Sequence, residues 1–157
     1  MRFGDEALLK PCKEIIMPNK LDLVLYTSYT RVTGGREGAG RSSDGAIDVR
    51  LSTPGSGRPG TNPEQLFGIG YSACFIVAVE SAGKQLGVKL PKDAAIDAEV
   101  SLGKTDGGAH YGLGVTLKVS LPGLDAAVKR QLVETAHQTC PYSRSLRGNV
   151  DVGFEIL

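Results

Sequence analysis

The chain has 157 residues, 41% hydrophobic and 22% charged, ordinary proportions for one domain with its own core. Its formal net charge of +1 argues against a dedicated nucleic-acid binder, because Arg31, Arg36, Arg41, Arg50 and Arg58 are diluted by Glu37, Asp44 and Asp48. No apolar run approaches a membrane span, and the opening MRFGDEALLKPCKEII lacks the apolar core of a secretory signal, so a soluble, cytoplasmic protein is expected.

Residues 1–20 are weakly patterned and broken by Pro11 and Pro18, with Met17 as a second candidate start. Residues 21–32, LDLVLYTSYTRV, are β-branched and aromatic and predict a strand. The glycine-dense TGGREGAGRSSDG that follows predicts a turn or bulged hairpin. Residues 46–52, AIDVRLS, alternate like a half-buried strand, and TPGSGRPGTNP is a loop.

A helix is predicted from Asn62, with Asn as N-cap, Pro63 at the first helical position and Glu64 complementing the macrodipole. Its run to about Leu86 is apolar on nearly every face, the mark of a buried central helix, and Gly87 suits its C-cap. Gly68 and Gly70 each cost about 1 kcal/mol relative to alanine in a helix, so close packing against their backbone is expected. Residues 94–103 and 111–121 alternate as two strands joined by the turn KTDGGAH. Residues 125–139 predict an amphipathic helix ended by Cys140-Pro141, and NVDVGFEIL predicts a final strand. The order of elements is that of an α+β fold. So few elements do not easily wrap an all-apolar helix, and a homodimer that buries its remaining face is expected.

Three cysteines in a reducing compartment do not suggest structural disulfides, and no C-x-x-C or Cys/His pair has metal-ligand spacing. His110 and His137 read as ordinary polar residues. Cys74 inside the apolar helix reads first as core, with burial raising its pKa. The macrodipole fades within one turn and does not reach it, so a reactive Cys74 needs a cation from elsewhere. Arg36, in a glycine-rich bend where backbone approaches closely, is the best candidate, with Glu64 to orient it. Glu64 and Cys74 are ten residues apart, about 15 Å along a regular helix. Either the helix starts late, or Glu64 serves a site built partly from a second subunit. Cys140, before Pro141, is placed to cap a new turn through PYSRS, where a thiolate is stabilised, but a plain buried thiol is equally consistent. GGREGAG matches no phosphate-loop pattern and no helix follows it, which argues against nucleotide binding there.

Taken together, TNPEQLFGIGYSACF (61–75), TGGREG (33–38) and CPYS (140–143) resemble the helix signature, arginine loop and second-cysteine motif of the organic hydroperoxide resistance (Ohr) family in the OsmC-like superfamily. The similarity runs from about Tyr26 to the C-terminus. It implies an OsmC-like fold, an intertwined homodimer with a buried central helix packed against antiparallel sheets and active sites at the subunit interface. It implies that Cys74 is the peroxidatic cysteine, Cys140 the resolving cysteine, Arg36 the activating arginine and Glu64 the carboxylate that holds it. It further implies a peroxidase of organic and lipid hydroperoxides with no metal, haem or flavin cofactor, recycled by a dithiol such as dihydrolipoamide on a lipoylated protein. Phe67, Ile69, Phe75 and Ile76 are candidates to line a pocket for the organic part of the substrate, though core packing is the plainer reading of each.

The chain departs from the family at its start. Residues 1–22 form an N-terminal extension, and residues 23–157 a single OsmC/Ohr-like domain. Cys12 lies in the extension, matches no family motif and reads as a non-catalytic thiol. Two other readings stand beside this one: an OsmC-type peroxidase with broader peroxide preference, and a fold-sharing protein that binds a small apolar ligand and keeps inert cysteines.

Overall fold

In the computed structural model, which describes residues 20–157, the longest element begins and ends at its predicted caps. The Asn62 side chain accepts a hydrogen bond from the Gln65 N–H, and Pro63 opens helix α1 (Pro63–Leu86). Gly87 closes it with φ 67°, the left-handed value of a helix C-cap. Residues 1–19, with Pro11, Cys12, Met17 and Pro18, lie outside the described residues, and with them nearly all of the expected extension.

Ahead of α1 stands an antiparallel sheet of β1 (Thr30–Thr33), β2 (Ala39–Ser42) and β3 (Asp48–Arg50), in that order. The strand predicted over 21–32 shortens to its last residues and Thr33. Leu21, Leu23, Val24, Leu25 and Tyr26 have the right composition, but they stand exposed and pair with no described strand of this chain. The glycine-dense segment holds a 3-10 turn at Gly35–Glu37 and then β2 itself. Gly34 sits at φ 71°, and a Cβ on Gly38 would lie 1.7 Å from the Thr33 carbonyl oxygen, so the tight turn under Arg36 needs glycine. The strand predicted over 46–52 is reduced to β3, with Leu51 continuing as a single bridge to Thr61.

After α1, β4 (Ala95–Thr105) and β5 (His110–Ser120) form an antiparallel hairpin in register from Ala95↔Ser120 to Thr105↔His110. Helices α2 (Ala126–Thr139) and α3 (Pro141–Leu146) follow, and β6 (Asp151–Ile156) then pairs with β5. That last pairing is parallel, from Gly114↔Asp151 to Val119↔Ile156. The expectation of antiparallel sheets therefore holds for the first sheet and the β4–β5 hairpin, and the second sheet is mixed. The cause is the helical crossover: α2 and α3 carry the chain back before β6 begins, as a parallel pair requires.

Tyr71, Phe75, Ala78, Val79 and Ala82 form the inner face of α1 at helical spacing. They pack with Val115, Leu117 and Val119, alternate residues of β5, and with Leu132, Val133 and Ala136 of α2. The close packing expected at the helix glycines is present. A Cβ on Gly68 would meet Val100 at 3.4 Å and Ala98 at 3.5 Å on β4, and one on Gly70 would lie 3.0 Å from the Tyr142 hydroxyl.

One expectation for α1 holds and one needs correction. As expected from so few elements, one chain leaves part of it uncovered: Leu66, Ile69 and Val77 are 37%, 68% and 61% exposed. It is also long and apolar enough to cross a membrane by length and composition, which the reading of apolar runs passed over. Its inner face is nonetheless protein core, with Tyr71, Phe75 and Val79 at zero exposure.

Candidate active site

Two pairs of side chains meet at different levels of α1. The first is an ion pair at its start. The Arg36 guanidinium donates from both terminal nitrogens to the Glu64 carboxylate, at 2.9 Å (Nη1 to Oε2) and 2.5 Å (Nη2 to Oε1). This two-pronged contact fixes the plane of the guanidinium as well as its position. The turn under Arg36 is held from the other side by Glu37, which accepts from Thr53 and pairs with Arg58 in the loop before α1.

The Arg36 hydrogen bonds, ahead of its charge, hold the Glu64 carboxyl below its ordinary value against the opposing effect of burial. Glu64 likewise raises Arg36. With the folded value of Glu64 depressed, the pair contributes fully above the ordinary glutamate range and is lost as pH falls through the lowered value. It is therefore intact at neutral pH. Arg36 is 40% exposed, so screening keeps its contribution to stability small and its value is geometric.

The second pair is Cys74 and Cys140, with sulfurs 3.6 Å apart and both thiols free. Cys140 is fully buried at the junction of α2 and α3. Its N–H donates to the Ala136 carbonyl at the end of α2, and its carbonyl accepts from Arg144 N–H in α3. With φ −57° and ψ 125° it ends one helix and caps the next, the extended conformation that a residue before proline prefers. Burial pushes the Cys74 thiol above its ordinary value, the neighbouring Cys140 adds to the shift, and the Tyr142 backbone N–H opposes it. Within one chain, then, the net environment of Cys74 disfavours its thiolate.

The two pairs stay apart. Because α1 begins at Pro63, a late helix start is excluded, and Glu64 lies about 15 Å up the helix axis from Cys74. Arg36 and Glu64 instead face a cleft of about 1250 Å³ between the start of α1 and β4, which Ile69, Ile96, Ala98 and Val100 also line and from which both cysteines are absent. Of the four apolar candidates, Ile69 lines this cleft, Phe67 packs near Tyr71 and Tyr142, and Ile76 is half-buried. Phe75 is core, stacked on Phe154 at 5.3 Å.

Sequence reasoning missed the surroundings of the cysteine pair. Tyr142 stacks on Tyr71 with centroids 5.6 Å apart and planes at 16°. The Tyr71 hydroxyl lies 2.7 Å from the Ser143 hydroxyl in full burial. The one available signal was Gly70, whose cost inside a helix implied a neighbour at its backbone.

The chain is an α+β fold whose long core helix brings Cys74 against Cys140 at the α2–α3 junction. Residues 54–155 match the family described as OsmC-like protein. The organic hydroperoxide resistance protein of Xanthomonas axonopodis pv. citri (strain 306) is 50% identical over 133 residues, spanning 82% of this chain and 92% of its own. The crystal structure of the organic hydroperoxide resistance protein OhrB of Bacillus subtilis matches with a TM-score of 0.80 at 41% identity, over 85% of this chain and 100% of that one. That of an organic hydroperoxide resistance protein from Elizabethkingia anophelis matches with a TM-score of 0.73 at 36% identity, over 85% and 96%. The chain belongs to the OsmC-like family, within its organic hydroperoxide resistance (Ohr) group.

Proposed function

We propose that the chain is a cysteine-based peroxidase that reduces organic and lipid hydroperoxides to alcohols in defence against oxidative stress. The observation that carries this reading is the 3.6 Å approach of two free thiols, Cys74 and Cys140, from separate helices. The names of the relatives supply the substrate class. The Cys74 thiolate attacks the outer peroxide oxygen, the O–O bond breaks, and the alkoxide leaves as alcohol after taking a proton. Cys74 is then a sulfenic acid. The Cys140 thiolate attacks its sulfur, a disulfide forms, and hydroxide leaves as water. A dithiol such as dihydrolipoamide on a lipoylated protein reduces the disulfide by exchange.

The working unit in this reading is a homodimer. Support comes from the exposed Leu66, Ile69 and Val77 on α1 and from the exposed apolar segment around Leu21–Tyr26, which pairs with no described strand, a quantity of apolar surface that a stable chain covers. The separation of the two side-chain pairs supports a composite site, in which Arg36 and Glu64 of one subunit face Cys74 and Cys140 of the other. The guanidinium then supplies a positive charge that the described residues around Cys74 do not.

Arg36→Ala is expected to shift the pH midpoint of Cys74 alkylation upward and to slow peroxide reduction by about 10²–10³-fold, the scale of losing one charge-stabilising donor group. An unchanged pH profile would remove Arg36 from the activating role. Mixing chains tests the composite site. Heterodimers of Arg36→Ala and Cys74→Ser chains contain one site with both residues intact, so turnover above the sum of the two variants is expected. Strict additivity would place all four residues in one chain's site.

Turnover with dihydrolipoamide tests the substrate class. Cumene hydroperoxide is expected to be consumed faster than hydrogen peroxide. A clear preference for hydrogen peroxide would favour the OsmC-type reading.

A further inference from the structure

The buried hydrogen bond between Tyr71 and Ser143 takes no part in the chemistry above, yet it runs beside the sulfur pair. Tyr71 precedes Cys74 by three residues on α1, and Ser143 follows Cys140 by three on the α3 side. In helices, residues three apart share a face. The 2.7 Å Tyr71–Ser143 contact and the 3.6 Å Cys74–Cys140 contact are thus two adjacent rungs between the same two segments.

Helix α3 needs such a rung. It has six residues, far too few to be stable by itself. It leaves α2 at Cys140, whose extended conformation makes that cysteine the pivot. Ser143 is the one fully buried side chain of α3. Its partner Tyr71 is equally buried, packed among Phe67, Phe75 and Tyr142. A hydrogen bond in such apolar surroundings is directional and costly to leave unmade. Burial also raises the Tyr71 hydroxyl above its ordinary value, so it stays protonated and able to donate.

We propose that Tyr71 and Ser143 are positioning residues that hold the Cys140 segment against α1 and thereby set the rate of disulfide closure, without contributing to the attack on hydroperoxide. This rests on the peroxidase reading. During closure the sulfurs move from 3.6 Å to a bond of about 2.0 Å, after Cys74 has gained an oxygen. The Tyr71–Ser143 rung keeps the pivot from swinging away in that interval. The competing fate of the sulfenic acid is a second hydroperoxide, which takes it to sulfinic acid. The rung therefore also decides how much enzyme is lost to overoxidation.

The experiment compares wild type, Tyr71→Phe and Ser143→Ala by rapid mixing with cumene hydroperoxide, following sulfenic acid formation and disulfide formation separately, with sulfinic acid quantified by mass. In both variants sulfenic acid is expected to form at the wild-type rate, disulfide closure to slow by about tenfold or more, and sulfinic acid to rise in proportion. Closure at the wild-type rate overturns the proposal. Equal slowing of both steps, with a lowered melting temperature, also overturns it, since that is the signature of a merely structural role. Should Tyr71→Phe fail to fold, the ratio of the two rates in Ser143→Ala decides alone. Absence of any disulfide in wild type defeats the peroxidase reading itself and the tether with it, whereas a wild-type disulfide with unaffected variants defeats the tether only.

Discussion

Cys74→Ser is expected to abolish hydroperoxide turnover while leaving the fold in place. The exchange replaces one small side chain by another at a half-buried position on α1, so packing changes little. The chemistry changes completely. A serine hydroxyl remains protonated at neutral pH, and oxygen cannot take the place of sulfur in a sulfenic acid. Among the described residues no other thiol is poised to substitute: Cys140 is fully buried, and in this reading it reacts with sulfur, not with peroxide. Loss of a nucleophile typically costs several orders of magnitude in rate. The measurement is dihydrolipoamide-coupled consumption of cumene hydroperoxide, with a thermal melt as the control for folding. Turnover persisting within about tenfold of wild type, well inside the range of lesser effects, would place the reactive group elsewhere.

Cys140→Ser is expected to separate the two halves of the cycle. The first hydroperoxide still meets the Cys74 thiolate, so one equivalent is consumed and a sulfenic acid forms. Its partner sulfur, 3.6 Å away in the native chain, is gone, so no intramolecular disulfide follows. Dithiol-driven cycling should stop after that event, and excess hydroperoxide should carry Cys74 on to sulfinic acid. A sulfenic-acid trap reads the first step, and steady-state dithiol oxidation reads the second. Cycling at the wild-type rate would show that the external dithiol reaches the sulfenic acid directly and that Cys140 is dispensable.

Much of the fold was legible in the sequence because its signals are local. Asn62-Pro63 and Gly87 mark α1 through the hydrogen-bonding needs of helix ends, and Cys140-Pro141 marks the α2–α3 junction through the steric restriction before proline. The strand at 39–42 was hidden because its neighbours are glycines chosen for the turn under Arg36, and they mask alternation. The parallel direction of β6 was not visible, since it depends on where α2 and α3 deliver the chain and not on the strand's own residues. The apolar segment from Leu21 has the composition of a strand but no partner among the described strands, so composition alone overstates it.

The site was legible only as types and spacings. The ten-residue separation of Glu64 and Cys74 already forbade direct contact along one helix, and the start of α1 at Pro63 removes a late helix start as a way around it. The raised Cys74 thiol follows from burial and was foreseeable. The pairing of Tyr71 with Ser143 joins positions 72 residues apart, and nothing local in either segment announces it.

The most direct test is peptide mapping by mass spectrometry after one equivalent of organic hydroperoxide, without reductant. The expected product is a Cys74–Cys140 disulfide within one chain, lighter by one pair of hydrogens and reversed by dihydrolipoamide. Two free thiols after the peroxide is consumed, or a disulfide that uses Cys12 instead, would contradict the assignment of Cys74 and Cys140 as the reacting pair.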